Sequence, residues 1–320
     1  MTIFIRFSVI ITLLVSFYIP RVIAGQFNIL VIPKNTRYDY WKRVGSGAEA
    51  AGRVFDLNIM FRGPYEEDRY DSQVTIIEMG IRKKVDAIVL APSHRDKMTP
   101  AVGRAVEQGI KVVVIDSAMA GNAHSSFIAS DNYRAGREAA LYLQSLVKGK
   151  GKILMLRFVK GNVSTDTREK GFYDTISSFG PDLTVLGDPY VGVSLGSVYR
   201  ITLPLLKANP DIAGIFAPSE SSSMAIIQAL RKNNLAGRIK VVGFDFNREI
   251  QENIMAGELH GTMVQQPWEM GFAGVKTAHE LLENKPVPEI VFTKTFLVTR
   301  ENINTPEVQK LIRSGKALVN

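Results

Sequence analysis

The sequence predicts an α/β protein made of two similar doubly wound parallel-sheet domains joined by a multi-strand hinge, and three observations carry this. Apolar, β-branched runs of roughly five residues alternate with amphipathic stretches of roughly ten to sixteen along most of the 320 residues, the rhythm of a parallel sheet. Two strand ends repeat, Val89-Leu90-Ala91-Pro92-Ser93 and Ile215-Phe216-Ala217-Pro218-Ser219. In each half the next strand then closes on an aspartate: Val112-Val113-Val114-Ile115-Asp116, and Val241-Val242-Gly243-Phe244-Asp245. Ligands of open α/β sheets bind outside the carboxyl ends of the strands, so two such halves face to face bring two carboxylates to one cleft.

In chain order, strands are predicted over residues 27–32, 58–61, 87–90, 111–115 and 127–129, with helices starting near Tyr40, Tyr70 and Met98. A second series follows, with strands over 152–156, 183–186, 214–217, 239–243 and 260–264 and helices from near Asn132, Asp166, Ser197, Ser221 and Arg248. The chain resumes with a helix over 268–283, one extended piece over 289–298 and a short helix from Thr305. No Pro/Gly/Ser-rich linker separates the halves, so crossings are expected near Ala129, Gln265 and Pro288, and several crossings make a hinge. The expected division is a lobe of residues 25–129 with 266–293, and a lobe of residues 130–265 with 294–320.

Arg6, an apolar run over 7–19, Pro20 and the small-residue site Val22-Ile23-Ala24 have the order of a secretory signal peptide over residues 1–24. An uncleaved anchor is the alternative, although the run is short for a span. Cleavage leaves about 300 residues, enough for two cores without staples. There is no cysteine, hence neither a disulfide nor a site for a lipid anchor, and a freely diffusing monomeric export product is expected.

The formal net charge of +8 falls to about +6 without Arg6 and Arg21. The longest basic run, Arg82-Lys83-Lys84, sits at a predicted helix end, where cations favour the dipole, so nucleic acid is not expected as a partner.

Candidate site residues gather at predicted strand ends. Lys34 follows Ile32-Pro33, with Tyr38, Tyr40 and Trp41 just after; flat rings suit the apolar face of a polyol, while the same aromatics could anchor the following helix in the core. Asp116 and Asp245 read either as caps or as acceptors of ligand hydroxyls. Arg168 lies in Ser164-Thr165-Asp166-Thr167-Arg168-Glu169, which reads as a helix start capped by Asp166 or Ser164, with Glu169 at the capping-box spacing from Asp166. A cation in a first helical turn opposes the dipole, which favours a ligand or cleft carboxylate as its partner over a surface ion pair.

Gly45-Ser46-Gly47 falls inside a helical pattern and suits close helix packing better than a phosphate turn. His94, His124, His260 and His279 lack metal-ligand spacing, and no nucleophile elbow or Walker loop is present. Neither a catalytic constellation nor a metal or cofactor motif is read.

Through these segments the chain resembles the type I periplasmic binding proteins of sugar ABC importers, the ribose-binding-protein-like family, over essentially its whole mature length. The matching pieces are Ile32-Pro33-Lys34 with Tyr40-Trp41, Ile115-Asp116-Ser117, Ala129-Ser130-Asp131-Asn132, Ser164 through Arg168 to Gly171-Phe172, Ala217-Pro218-Ser219-Glu220-Ser221, Val242-Gly243-Phe244-Asp245 and Gln265-Gln266-Pro267. The resemblance implies the type I periplasmic-binding-protein fold, with Tyr40, Trp41, Asp116, Arg168, Asp245 and Gln265 around a sugar. It departs from the ribose pattern at Lys34 for a small polar residue, Ser117 for an arginine, Val193 for an aromatic and Ser219 for an asparagine.

Lys34 after Ile-Pro looks like a subgroup that binds other small polyols and autoinducer-2; whether the ligand is anionic stays open. The expected function is capture of a small sugar or polyol in the periplasm and its delivery to ABC permease subunits. A coreceptor role for a sensor kinase or chemotaxis receptor is the alternative, and an enzyme is not expected. The expected ligand-binding residues are Lys34, Tyr40, Trp41, Asp116, Arg168, Ser219, Asp245 and Gln265.

Overall fold

The computed structural model describes residues 26–313. The expected signal segment, with Ala24 at its end, lies outside the described residues.

The first series is β1 (Asn28–Ile32), α1 (Asp39–Phe55), β2 (Asn58–Phe61), α2 (Tyr70–Arg82), β3 (Ala87–Leu90), α3 (Thr99–Glu107), β4 (Lys111–Ile115) and β5 (Ser126–Ser130). The second is α4 (Asn132–Leu146), β6 (Gly151–Met155), α5 (Val163–Ser177), β7 (Leu183–Gly187), α6 (Leu195–Ala208), β8 (Ile212–Phe216), α7 (Glu220–Lys232), β9 (Lys240–Phe244), α8 (Arg248–Met255) and β10 (Gly261–Val264). Then come α9 (Pro267–Leu282), β11 (Ile290–Thr293), β12 (Phe296–Thr299) and α10 (Pro306–Arg313).

Two six-stranded sheets result, ordered β2-β1-β3-β4-β5-β11 and β7-β6-β8-β9-β10-β12. The order is the same in both. Central strands such as β3, with Ala87, Ile88, Val89 and Leu90 all fully buried, are apolar on both faces because helices cover both sides of the sheet. Each sheet therefore separates two apolar layers: one side of the first holds Val44, Ala48 and Val275, and the other holds Ile77, Met98 and Val102.

Small residues let paired helices come close. A Cβ at Gly47 of α1 would overlap the carbonyl oxygen of Trp268 in α9, and one at Gly136 of α4 would overlap that of Arg168 in α5. Helix packing is thus the use of the Gly45-Ser46-Gly47 segment.

The predicted extended piece over 289–298 is two strands, one in each sheet. β11 runs parallel to β5, whereas β12 runs antiparallel to β10. The third crossing accordingly falls between Thr293 and Phe296 and not at Pro288, whose carbonyl accepts the Ser126 hydroxyl at the start of β5. The other crossings follow β5 and β10, and they are tied together by Ser130, whose hydroxyl donates to Gln265 Oε1 at 2.8 Å.

Candidate functional site

The carboxyl ends of both sheets face one another across a cleft, and its walls begin with how the strand ends are held. After β1, buried Gln73 donates to the carbonyls of Pro33 and Ala91 and accepts from Ser93 N–H, satisfying the backbone where the first and third strands stop. Asn35 Oδ1 then accepts from the backbone N–H groups of Arg37 and Tyr38, a side-chain turn that sends the chain into α1. Lys34, Tyr38, Tyr40 and Trp41 are thereby brought to the cleft.

Tyr40 and Trp41 pack edge to face, with centroids 4.9 Å apart, and belong to the core beneath the cleft as well as to its wall. The core reading of these aromatics is thus met, and the same rings are placed where a ligand could reach them.

The two aspartates occupy equivalent backbone positions. Both have left-handed φ, 65° at Asp116 and 69° at Asp245. Each backbone N–H donates at 2.8 Å to the neighbouring strand, to Ile128 and Met263 respectively. Aspartate tolerates this conformation better than most side chains, which explains the residue type at the end of an apolar strand.

Asp116 Oδ1 accepts from the Tyr40 hydroxyl at 2.7 Å. Its Oδ2 lies 2.8 Å from the Lys34 ammonium as an ion pair, outside hydrogen-bond angles, so this buried oxygen has a charge beside it and no hydrogen-bond donor. Asp245 Oδ1 accepts from Gln265 Nε2 at 2.7 Å and Oδ2 from Glu220 N–H at 3.0 Å. Burial pushes the Asp245 carboxyl up, opposed by Arg168, Gln265 and that N–H.

Arg168 is 2% exposed. Its guanidinium lies over the Phe244 ring at 3.6 Å and donates to Asn132 Oδ1, at 3.2 Å from Nε and 2.6 Å from Nη2, and to the carbonyl of Pro218. Burial pulls it below its ordinary value, and the charges of Asp245 and Asp116 oppose that shift.

The predicted helix start at Asp166 is corrected. α5 begins at Val163 after Asn162, so Arg168 sits beyond the first turn. Asp166 instead accepts from Gly161 N–H, and Glu169 accepts from Phe158 N–H and Arg157 rather than forming a capping box. Ser219 does cap α7, its hydroxyl accepting from Ser222 N–H, while also lining the cleft.

All eight expected residues, Lys34, Tyr40, Trp41, Asp116, Arg168, Ser219, Asp245 and Gln265, line this one cleft, which holds about 400 Å³ of space between atoms, part of it open to solvent. Sequence reasoning does not place Glu67, Phe158, Thr165, Glu220 or Ser221 here, and they line it too, with Tyr38 and Ser164. Glu67 and Glu220 are both pushed up to about 7 by burial, Lys34 opposing most in the first and the Asn247 side chain in the second. Glu220 was within sequence reach, since it follows Ser219 at the start of a capped helix. Glu67 was not, because Tyr65-Glu66-Glu67-Asp68-Arg69 reads as a solvated charge run.

Two equivalent α/β lobes with one polar, aromatic-walled cleft between their strand ends define a two-lobed small-molecule clamp. The model of the periplasmic binding protein domain matches residues 29–286, and the chain belongs to that family. It is similar to the crystal structure of an ABC transporter solute binding protein from Agrobacterium vitis with bound D-fucose, 36% identical, with a TM-score of 0.85 over 89% of this chain and 99% of that one. A carbohydrate transporter solute binding protein from Agrobacterium radiobacter in complex with D-arabinose is 29% identical, with a TM-score of 0.87 over 90% of this chain and 99% of that one. The D-ribose/D-allose-binding protein of Pseudomonas aeruginosa is 26% identical over 284 residues, 85% of this chain and 88% of that protein.

Proposed function

We propose that the protein is a periplasmic solute-binding protein that captures a neutral monosaccharide or similarly small polyol and delivers it to an ABC-type permease, without chemical turnover. The observation that carries this reading is the pair of buried carboxylates, Asp116 and Asp245, one from each sheet, facing a single cleft with Arg168 between them. Carboxylates accept sugar hydroxyls in charge-assisted bonds, Arg168 and Gln265 donate to ring and hydroxyl oxygens, and Tyr40 and Trp41 offer flat faces. The sugars named with the similar structures and the relative, D-fucose, D-arabinose, D-ribose and D-allose, are all of this class and support it.

Charge narrows the class. Asp116 and Asp245 already balance Lys34 and Arg168 in the lining, and Glu67 and Glu220, raised to about 7, add only partial negative charge, so no cation is left over for a sugar acid. The lobes, residues 25–129 with 266–293 and residues 130–265 with 294–320, turn about the three crossings, and the ligand biases the closed arrangement by touching both.

A thermal-shift screen of pentoses, hexoses, deoxy sugars, sugar alcohols, sugar acids and autoinducer-2 tests this. Ligand at a hundred times its dissociation constant stabilises by about 2.7 kcal/mol, a melting rise of roughly 5–11 °C for domains of this size. Neutral sugars are expected to shift the melt and sugar acids are not. Shifts by amino acids or peptides alone would overturn the reading.

A further inference from the structure

We propose that Lys34 is a latch between the lobes, holding the cleft shut through Asn162 and Ser164 with or without a ligand. The inference rests on the clamp reading above. An ammonium has three N–H groups and no acceptor. Lys34 Nζ donates to Asn162 Oδ1 and Ser164 Oγ, both at 3.0 Å, and stands 2.8 Å from Asp116 Oδ2 as an ion pair. Lys34 is only 1% exposed, so water takes no share. Its partners Asn162 and Ser164 are 128 and 130 residues away in sequence and belong to the lobe of the second sheet.

Asn162 supplies a separate sign. It occupies the N-cap of α5, where an asparagine ordinarily accepts from a backbone N–H of its own helix, yet it makes no such cap bond. Its amide reaches the other lobe, Oδ1 to Lys34 and Nδ2 to Glu67 Oε1 at 3.4 Å, while Oδ1 also accepts from the Ser164 hydroxyl at 3.0 Å. Ser164 N–H, also at that helix start, donates to Ser117 Oγ at 3.0 Å, again across the cleft. The first turn of α5 is thus gripped by Lys34, Glu67 and Ser117.

Opening breaks these bonds and the desolvated surroundings of an ion pair, so the latch biases the ligand-free protein toward closure. Preclosure removes part of the conformational cost of binding while making entry wait for the open form.

Small-angle scattering of the ligand-free protein tests the latch without knowing the sugar, on wild type, Lys34→Met and Asn162→Ala, with circular dichroism to establish folding. Asn162→Ala guards against misfolding, because that side chain caps no backbone N–H of its helix, bonding there only the Ser164 hydroxyl, and its loss leaves the Lys34–Asp116 pair in place. Wild type is expected near the roughly 19 Å radius of gyration of a compact chain of this length, and each variant about 1 Å larger. Equal radii for wild type and folded Asn162→Ala, or a wild type already as extended as the variants, would overturn the latch. The sugar reading fails separately, in the melting screen.

Discussion

Asp116 and Asp245 stand on the same backbone in two sheets of the same strand order, yet they keep different company. Asp116 faces a cation, Lys34, that reaches across the cleft. Asp245 is hydrogen-bonded by neutral donors, Gln265 and the N–H of Glu220, with the Arg168 charge acting on it without a direct bond. A repeated backbone fixes where the carboxylates go, and the side chains of the following loops decide what each one costs. Near-twofold symmetry in the main chain is therefore compatible with a site whose two walls are chemically unlike, as an asymmetric ligand requires.

The sharpest way to break that comparison is to remove each carboxylate in turn. Asp116→Ala takes the ion-pair partner from a buried ammonium and is expected to cost about 3–5 kcal/mol, a melting loss on the order of 10 °C, whereas Asp245→Ala strands two neutral donors and takes a counter-charge from Arg168, which keeps its bonds to Asn132 and Pro218, and is expected to cost about 1–3 kcal/mol. Thermal denaturation of the ligand-free variants measures both, and equal losses would mean that the Lys34 pair contributes no more than the neutral bonds.

A substitution below the cleft should act alike in both lobes. Gly47→Ala and Gly136→Ala each press a methyl group into a facing backbone carbonyl, and each is expected to cost about 1–3 kcal/mol or more by chemical denaturation. A large loss from one and none from the other would show that only one helix pair depends on close approach.

Glu67 and Glu220, one on each side, are both raised to about 7 from an ordinary 4.5. A carboxyl raised in the fold is favoured in its protonated form, so its contribution is fullest below about pH 4.5 and fades as pH climbs to about 7. The melting temperature should fall by a few degrees across that window through these groups. His260, pulled down to about 4 from 6.5, works in the opposite sense below about pH 6.5, so the informative quantity is the difference between each Glu→Gln variant and wild type. Glu67→Gln and Glu220→Gln should each flatten the profile, and a profile parallel to wild type would remove that residue from the linkage.

The smallest effect is expected from Tyr40→Phe, which removes one donor to Asp116 and about 1–2 kcal/mol, with no counterpart bond at Asp245. Loss of the hydroxyl without any change in melting would show that Asp116 finds another donor.

Much of this was legible along the chain. β2, β3 and β4 span the predicted residues because short apolar runs, each led in at most by one polar residue, leave little choice of ends. Lys34, Asp116, Ser219, Asp245 and Gln265 were reachable because they sit within a few positions of strand ends, which doubly wound sheets direct to one place; Tyr40 and Trp41 open the helix after β1, and Arg168, inside α5, stood out only as a cation near a helix start. Asn162 and Glu67 were not reachable, since their partnership spans 95 residues and each looks locally like a helix cap or a solvated charge. The extended piece after α9 read as one strand because nothing in Ile290-Val291-Phe292 and Phe296-Leu297-Val298 says which sheet each will join; the two residues between them, Lys294 and Thr295, make the crossing.

The three crossings also dictate when the molecule can fold. The first sheet is nearly written by Ser130, but its helix α9 and edge strand β11 come only after the whole second series has been made, and Gly47 awaits a neighbour at Trp268. The second sheet in turn lacks β12 until Thr299. Neither core can be completed during synthesis of its own half: both sheets wait on residues after Gln266 for their closing elements, so the last-made segments lock both lobes together.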